Sequence, residues 1–272
     1  MKYSIMSFAF AGLLAATQAW AVPVLQVGAP GGAGEGTYAN YQGSTSTPTE
    51  DDTAITSGGT LFVAGVFGPN TLTLGGQSSG NDWSSFGFPT LNFDGHGGIL
   101  LVSVPDGTLA TALANLTVNG FSAFYSNAST SYFPNNHAPV QSGISDFLFF
   151  DIGDFSKNLG VVPDFATETG TANGEIKTLT VSGFGSLAWA HFDVMALETS
   201  TQGRSNIVTT VENNPGSHDV TWKSASSSGQ TSSGNQTSSG NNTVPEPGVL
   251  ALLSVGLLGQ ALLIRQRRRR QK

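Results

Sequence analysis

The sequence predicts an all-β body, an antiparallel β-sandwich of jelly-roll-like type, followed by a polar linker and a single C-terminal transmembrane helix. Three observations carry this. Glycine is abundant, with 35 among 272 residues, and only 11% of the chain is charged. Thr, Val, Phe and Ser fill the apolar and small positions, which suits a pleated, half-buried surface. Between residues 22 and 223 no long amphipathic helical pattern occurs, whereas short runs with strand periodicity recur between turn signals.

Taken in order, the predicted strands are 60–67, 98–104, 116–125, 146–152, 176–184, 187–197, 206–211 and 218–222. They are separated by Gly68-Pro69, Pro105-Asp106-Gly107, Asn135-Asn136 and Asn213-Asn214-Pro215-Gly216. Proline presets φ for a turn, and Gly and Asn tolerate positive φ. Residues 176–181 and 187–194 alternate between two faces, as a strand with one buried face requires. Phe147-Leu148-Phe149-Phe150 is apolar on both sides and reads as a strand in the middle of a sandwich or as one edge of a core covered on both sides. Residues 108–116 have helix-compatible spacing and could equally continue a strand. The segment 28–59 is poor in large apolar residues, carries Glu50-Asp51-Asp52, and reads as an irregular surface excursion around Tyr38 and Tyr41.

Both ends of the chain indicate export. Lys2, an apolar stretch over 5–16 and the small-x-small site Ala19-Trp20-Ala21 describe a secretory signal peptide, residues 1–21, cleaved before Val22. The partners this implies are the export translocon and a signal peptidase. Without the two ends, the body keeps four basic residues (Lys157, Lys177, Arg204 and Lys223) against 17 acids, a net charge of −13 rather than the −7 of the whole chain. Such a surface repels phosphate backbones and excludes nucleic acid as a partner. The absence of cysteine removes disulfides, thiol catalysis and thiolate metal sites, so the body, 22–223, must hold itself together by a hydrophobic core.

Residues 224–243 repeat a Thr-Ser-Ser-Gly-Asn theme that buries no apolar surface and is expected to be a disordered tether, with hydroxyls that could accept O-linked sugars. The final segment, 244–272, has three parts. Pro245-Glu246-Pro247 is held extended by its prolines. The apolar run 248–264 makes about 26 Å of helix, enough to span a slightly thinned bilayer. Arg265, Arg267, Arg268, Arg269, Arg270 and Lys272 hold that end on the cytoplasmic side. This order of parts resembles the PEP-CTERM sorting signal of Gram-negative bacteria. The resemblance implies recognition by an exosortase, a transient inner-membrane anchor, and release to the cell surface or extracellular matrix. Gly248, where the family more often has Ala, Ser or Thr, and Gln260 inside the span are mild departures. The alternative is a plain tail anchor on an uncleaved single-pass protein.

Candidate chemistry within the body is sparse. Gly76-Gln77-Ser78-Ser79-Gly80 fits G-x-S-x-G, but no helical pattern follows it, as a nucleophile elbow needs. Asn92-Phe93-Asp94-Gly95 places oxygen ligands before a glycine like the start of a calcium loop, yet lacks the later acidic positions; a tight turn is the simpler reading. Asp146, Asp151 and Asp154 flank a strand end, where solvated carboxylates are the ordinary outcome. Asp94, Asp151 and Asp154 are therefore the candidates should calcium bind; otherwise no cofactor or metal is expected. His96, His137, His191 and His218 are dispersed, and His191 with Asp193 shares a strand face, suiting either a metal or a hydrogen-bonded sheet pair.

Phe88-Pro89-Thr90-Leu91-Asn92-Phe93, Gly97-Gly98-Ile99-Leu100-Leu101-Val102 and Pro215-Gly216-Ser217-His218-Asp219-Val220 also make the body similar to exported choice-of-anchor domains, nearest the N variety. That resemblance implies no catalytic residues. The expectation is a non-enzymatic exported surface protein, structural or glycan-associated in an exopolysaccharide envelope and biofilm, with a secreted polysaccharide-active hydrolase as the alternative.

Overall fold

The computed structural model describes residues 22–223 apart from 31–37, 42–49, 79, 130–131, 134–138, 167–169, 186 and 204, with the backbone alone at 38–41, 50–53 and 78. The chain divides into two units, 1–230 and 231–272. The signal peptide, the linker and the whole C-terminal segment, including the predicted membrane helix, lie outside the described residues. Among those described, no helix is long and apolar enough to cross a membrane.

The strands in chain order are β1 (Leu25–Gly28), β2 (Tyr38–Tyr41), β3 (Glu50–Thr56), β4 (Thr60–Val66), β5 (Thr71–Gly75), β6 (Gln77–Ser78), β7 (Asn81–Asp82), β8 (Gly98–Pro105), β9 (Thr117–Val118), β10 (Tyr125–Asn127), β11 (Ser145–Gly153), β12 (Gly160–Val162), β13 (Ala172–Ser182), β14 (Trp189–Gln202), β15 (Asn206–Asn213) and β16 (Val220–Lys223). Two short α-helices, α1 (Thr90–Phe93) and α2 (Leu109–Asn115), and a 3-10 turn at Trp83–Phe86 interrupt them. One sheet runs β1-β4-β13-β12 with β9 on the end of β13. The larger runs β10-β11-β8-β14-β16-β3-β2. Its spine is β14, whose first half lies between β8 and β16 and whose second half lies between β5 and β15. Pairing is antiparallel in both sheets except between β16 and β3, which run parallel.

Alternation on the strands decides where the cores sit. From the smaller sheet Leu61, Val63, Leu179 and Val181, and from the larger Leu100, Val102, Leu148, Phe150, Phe192 and Val194, enter one shared core. The intervening residues of the larger sheet, Ile99, Leu101, Phe147, Phe149, Met195 and Leu197, face the other way and build a second core with Trp83, Phe88 and Phe93. The larger sheet is thus apolar on both faces, which is why residues 147–150 show no alternation.

Several expectations need correction. The strand foreseen over 116–125 is broken by an Asn119-Gly120 turn, with φ of 51° and 82° and reciprocal backbone bonds between Val118 and Phe121. Both central residues at positive φ is the hairpin turn that Asn-Gly favours. Of the two readings open for 108–116, the helical one is found: α2 covers Leu109–Asn115, and the Leu109 N–H donates to Asp146 Oδ2 at 2.9 Å. The segment 28–59 is not wholly irregular, because β2 and β3 lie in it; β3 is paired by β2 over its first part and by β16, a partner far away in sequence, over its last.

Candidate functional site

The outer face of the larger sheet changes character along β14. Met195 and Leu197 join the aromatic core, but two positions earlier on the same face stand His191 and Asp193, both fully buried. Pairing of Phe192 with Val220 brings Asp219, also at 0% exposure, to the same place. His191 Nε2 lies 3.2 Å from Asp193 Oδ2 and 3.9 Å from Asp219 Oδ2. On its other side His191 Nδ1 is 2.9 Å from Thr221 Oγ1. The second oxygen of Asp193 accepts from Asn214 Nδ2 at 3.0 Å, and Asn214 is itself pinned by the Val194 N–H at 2.7 Å. Ser103, register partner of His191 on β8, is buried with no hydrogen-bond partner for its hydroxyl. Among the described residues, this is where three potential metal ligands converge.

The three carboxylates singled out from sequence are not brought together in this way. Asp94 Oδ1 accepts from the Ser84 N–H at 2.9 Å, and Asp154 Oδ1 from Gly76 N–H at 2.9 Å. Asp151 accepts from Gly97 and Gly153 N–H groups at 3.0 and 2.8 Å and from His96 Nδ1 at 3.0 Å. Burial works to raise the Asp151 pKa, but the His96 bond and the two backbone donors outweigh it and hold the carboxyl below its ordinary range. These side chains tie neighbouring turns together. The turns approach so closely that a Cβ on Gly76 would overlap the His96 carbonyl. Asp82 is raised above its ordinary range by burial first; the bond from the Trp83 N–H opposes that, and a side-chain hydrogen bond with Asp94 and then the Asp94 charge add to it.

Two further arrangements escaped the sequence. His218 Nε2 lies 3.3 Å from Asp164 Oδ1 while its Nδ1 lies 2.8 Å from Ser217 Oγ, a Ser-His-Asp string. Burial pulls the His218 pKa below its ordinary value, with Asp164 partly opposing. Separately, Phe86, Gly87, Phe88, Tyr132, Phe133, Val211 and Asn213 line an open cleft of about 680 Å³ on top of the aromatic core. Phe88 and Tyr132 stack at 4.9 Å, and the buried Asn213 Oδ1 has no hydrogen-bond partner. Only the pairing of Phe-rich turns across the sheet reveals this cleft; spacing in the sequence gives no sign of it. Ser78, from G-x-S-x-G, sits on β6 in a tight ribbon with β7, not on a strand-to-helix turn.

His137, the cleavage-site residues Ala19 and Ala21, the motif residues Pro245, Glu246 and Pro247, and the arginines 265, 267, 268, 269 and 270 lie outside the described residues. Residues 243–269 match the PEP-CTERM protein-sorting motif. This PEP-CTERM signal implies an exported protein sorted and processed by an exosortase-type enzyme. Nothing among the curated proteins or the solved structures matches the chain.

Proposed function

We propose that this is a non-enzymatic, glycan-associated protein of the exopolysaccharide envelope. It would be held briefly in the inner membrane by residues 248–264 with its C-terminus cytoplasmic, then released to the cell surface or matrix. The body would be a jelly-roll-like sandwich of choice-of-anchor type. The observation that supports a glycan role is the cleft: sugars present apolar C–H faces to aromatic rings, and Phe86, Phe88 and Tyr132 line it. An acidic body excludes polyanionic nucleic acid and favours neutral polysaccharide.

The test is binding of the processed protein to a glycan array and to the host's own exopolysaccharide. Wild-type binding without turnover, lost in Phe86→Ala and Tyr132→Ala, supports the reading; no binding to any glycan sinks it. Sorting is tested by mass spectrometry in the native host. Processing at or near 245–247 that disappears in Glu246→Ala is expected, since the substitution leaves the prolines and the apolar run intact; an intact C-terminus in both proteins means a plain anchor. A second reading, ester hydrolysis on an acylated polysaccharide, has the Ser217-His218-Asp164 string in its favour. Turnover of acylated glycan substrates that Ser217→Ala abolishes would replace the first reading with this one.

A further inference from the structure

We propose that His191 Nε2, Asp193 Oδ2 and Asp219 Oδ2, with the Ser103 hydroxyl beside them, bind one divalent transition ion of the zinc type inside the body. The glycan reading does not depend on this site. Charge balance is the first argument. A neutral imidazole with two carboxylates and a divalent cation sums to zero, and all three groups are at 0% exposure, where buried charges are paired or coordinate metals. Geometry is the second. Ligands on a tetrahedral ion with bonds of about 2.0–2.1 Å stand roughly 3.3–3.5 Å apart. The observed 3.2 and 3.9 Å bracket that spacing.

The surroundings supply the third argument. In metal sites the atoms of each ligand that do not touch the ion are fixed by outer hydrogen bonds. Here Thr221 holds His191 Nδ1 and Asn214 holds Asp193 Oδ1, so that Nε2 and Oδ2 point together. Ser103 Oγ, buried and without a hydrogen-bond partner, stands on the same face at the register position of His191 and provides a neutral fourth oxygen. A nitrogen ligand among oxygens favours zinc-like ions over calcium, which takes oxygen alone. With its ligands fully enclosed, the ion enters as the fold closes and stabilises the folded state rather than serving a substrate.

The experiment takes the processed protein, purified without added metal, through elemental analysis and thermal unfolding with and without EDTA. Stoichiometric zinc, a melting temperature about 5–10 °C lower in EDTA, and loss of both zinc and EDTA sensitivity in Asp219→Asn are expected. No stoichiometric metal in the wild type, with a melting curve indifferent to EDTA and to added Zn²⁺, overturns the proposal and leaves a buried imidazolium between carboxylates. Equal zinc in the wild type and in a folded Asp219→Asn protein also overturns it, because the ion is then elsewhere. Should Asp219→Asn fail to fold, protein produced with Co²⁺ decides: visible absorption of a tetrahedral N/O site supports the proposal, and its absence ends it.

Discussion

The two halves of the outer face of the larger sheet are built from opposite materials on the same strands. Around β8, β11 and the second half of β14, Phe93 touches Trp83, Phe88, Phe124, Tyr125, Tyr132 and Phe149 within about 6.3 Å between ring centroids. A few residues earlier on β14, the same face is His191, Asp193, Asp219 and Thr221. Phe124, Tyr125 and Tyr132 are only partly buried, whereas the polar four are fully enclosed; the first half is held by area removed from water and by edge-to-face rings, and the second by directed bonds among groups that lose hydration. A rings-only cap tolerates small shifts. A polar cluster shut off from solvent fails if any member is lost.

The largest effect separating the halves is expected at Phe93. Phe93→Ala should lower stability by about 3–5 kcal/mol, and a Leu91→Ala change on the same short helix, at 97% exposure, should stay within about 0.5 kcal/mol; chemical denaturation measures both. Similar losses in the two variants would mean the aromatic cap does not hold its half as described. Removing a charge from the polar half comes next: Asp193→Ala strands His191 and Asn214 and should cost about 3 kcal/mol, independent of the rings. If Phe93→Ala and Asp193→Ala prove strongly non-additive, the halves are one unit.

pH tests two histidine–carboxylate pairs outside the buried polar four, His218 with Asp164 and His96 with Asp151. The folded-state pKa of His218 is depressed, so the native protein binds fewer protons than the unfolded chain just below about pH 6.5; this contribution is complete above that value and is lost as pH falls through the folded pKa. Asp151 is depressed too, and its contribution disappears only in more acid solution, below about pH 3.8. Melting temperature should therefore fall in two separated steps on acidification, and His218→Gln should erase the first. The smallest effect is expected for Ser103→Ala. Without an ion it removes an unsatisfied buried hydroxyl and should be neutral or stabilising by up to about 1 kcal/mol, whereas in zinc-loaded protein it should destabilise.

What the sequence made legible was local. The alternation over 187–194 placed His191 and Asp193 on one face, and the doubly apolar Phe147-Leu148-Phe149-Phe150 announced a strand covered on both sides. What it withheld was pairing at a distance. Asp219 joins His191 because β16 lies beside β14, and β3, opened by Glu50-Asp51-Asp52 with little strand propensity, is a strand because β2 pairs its first part and β16 its last. The 116–125 run is broken because the Asn119-Gly120 turn outweighs the strand propensity of the apolar residues around it. The aromatic cleft draws on residues 86–88, 132–133 and 211–213, three stretches that nothing in their spacing connects.

The position of β16 bears on timing. It is the last strand of the body, yet it lies inside its sheet between β14 and β3, and Trp222 Nε1 bonds the Ser57 carbonyl across 165 residues of chain. Contacts so remote in sequence form late, because a long loop must close before they contribute. During secretion the sheet is therefore incomplete until residue 223 has emerged. Residues 224–242 separate β16 from the sorting motif at 243–269, so the last strand of the body emerges before the motif does.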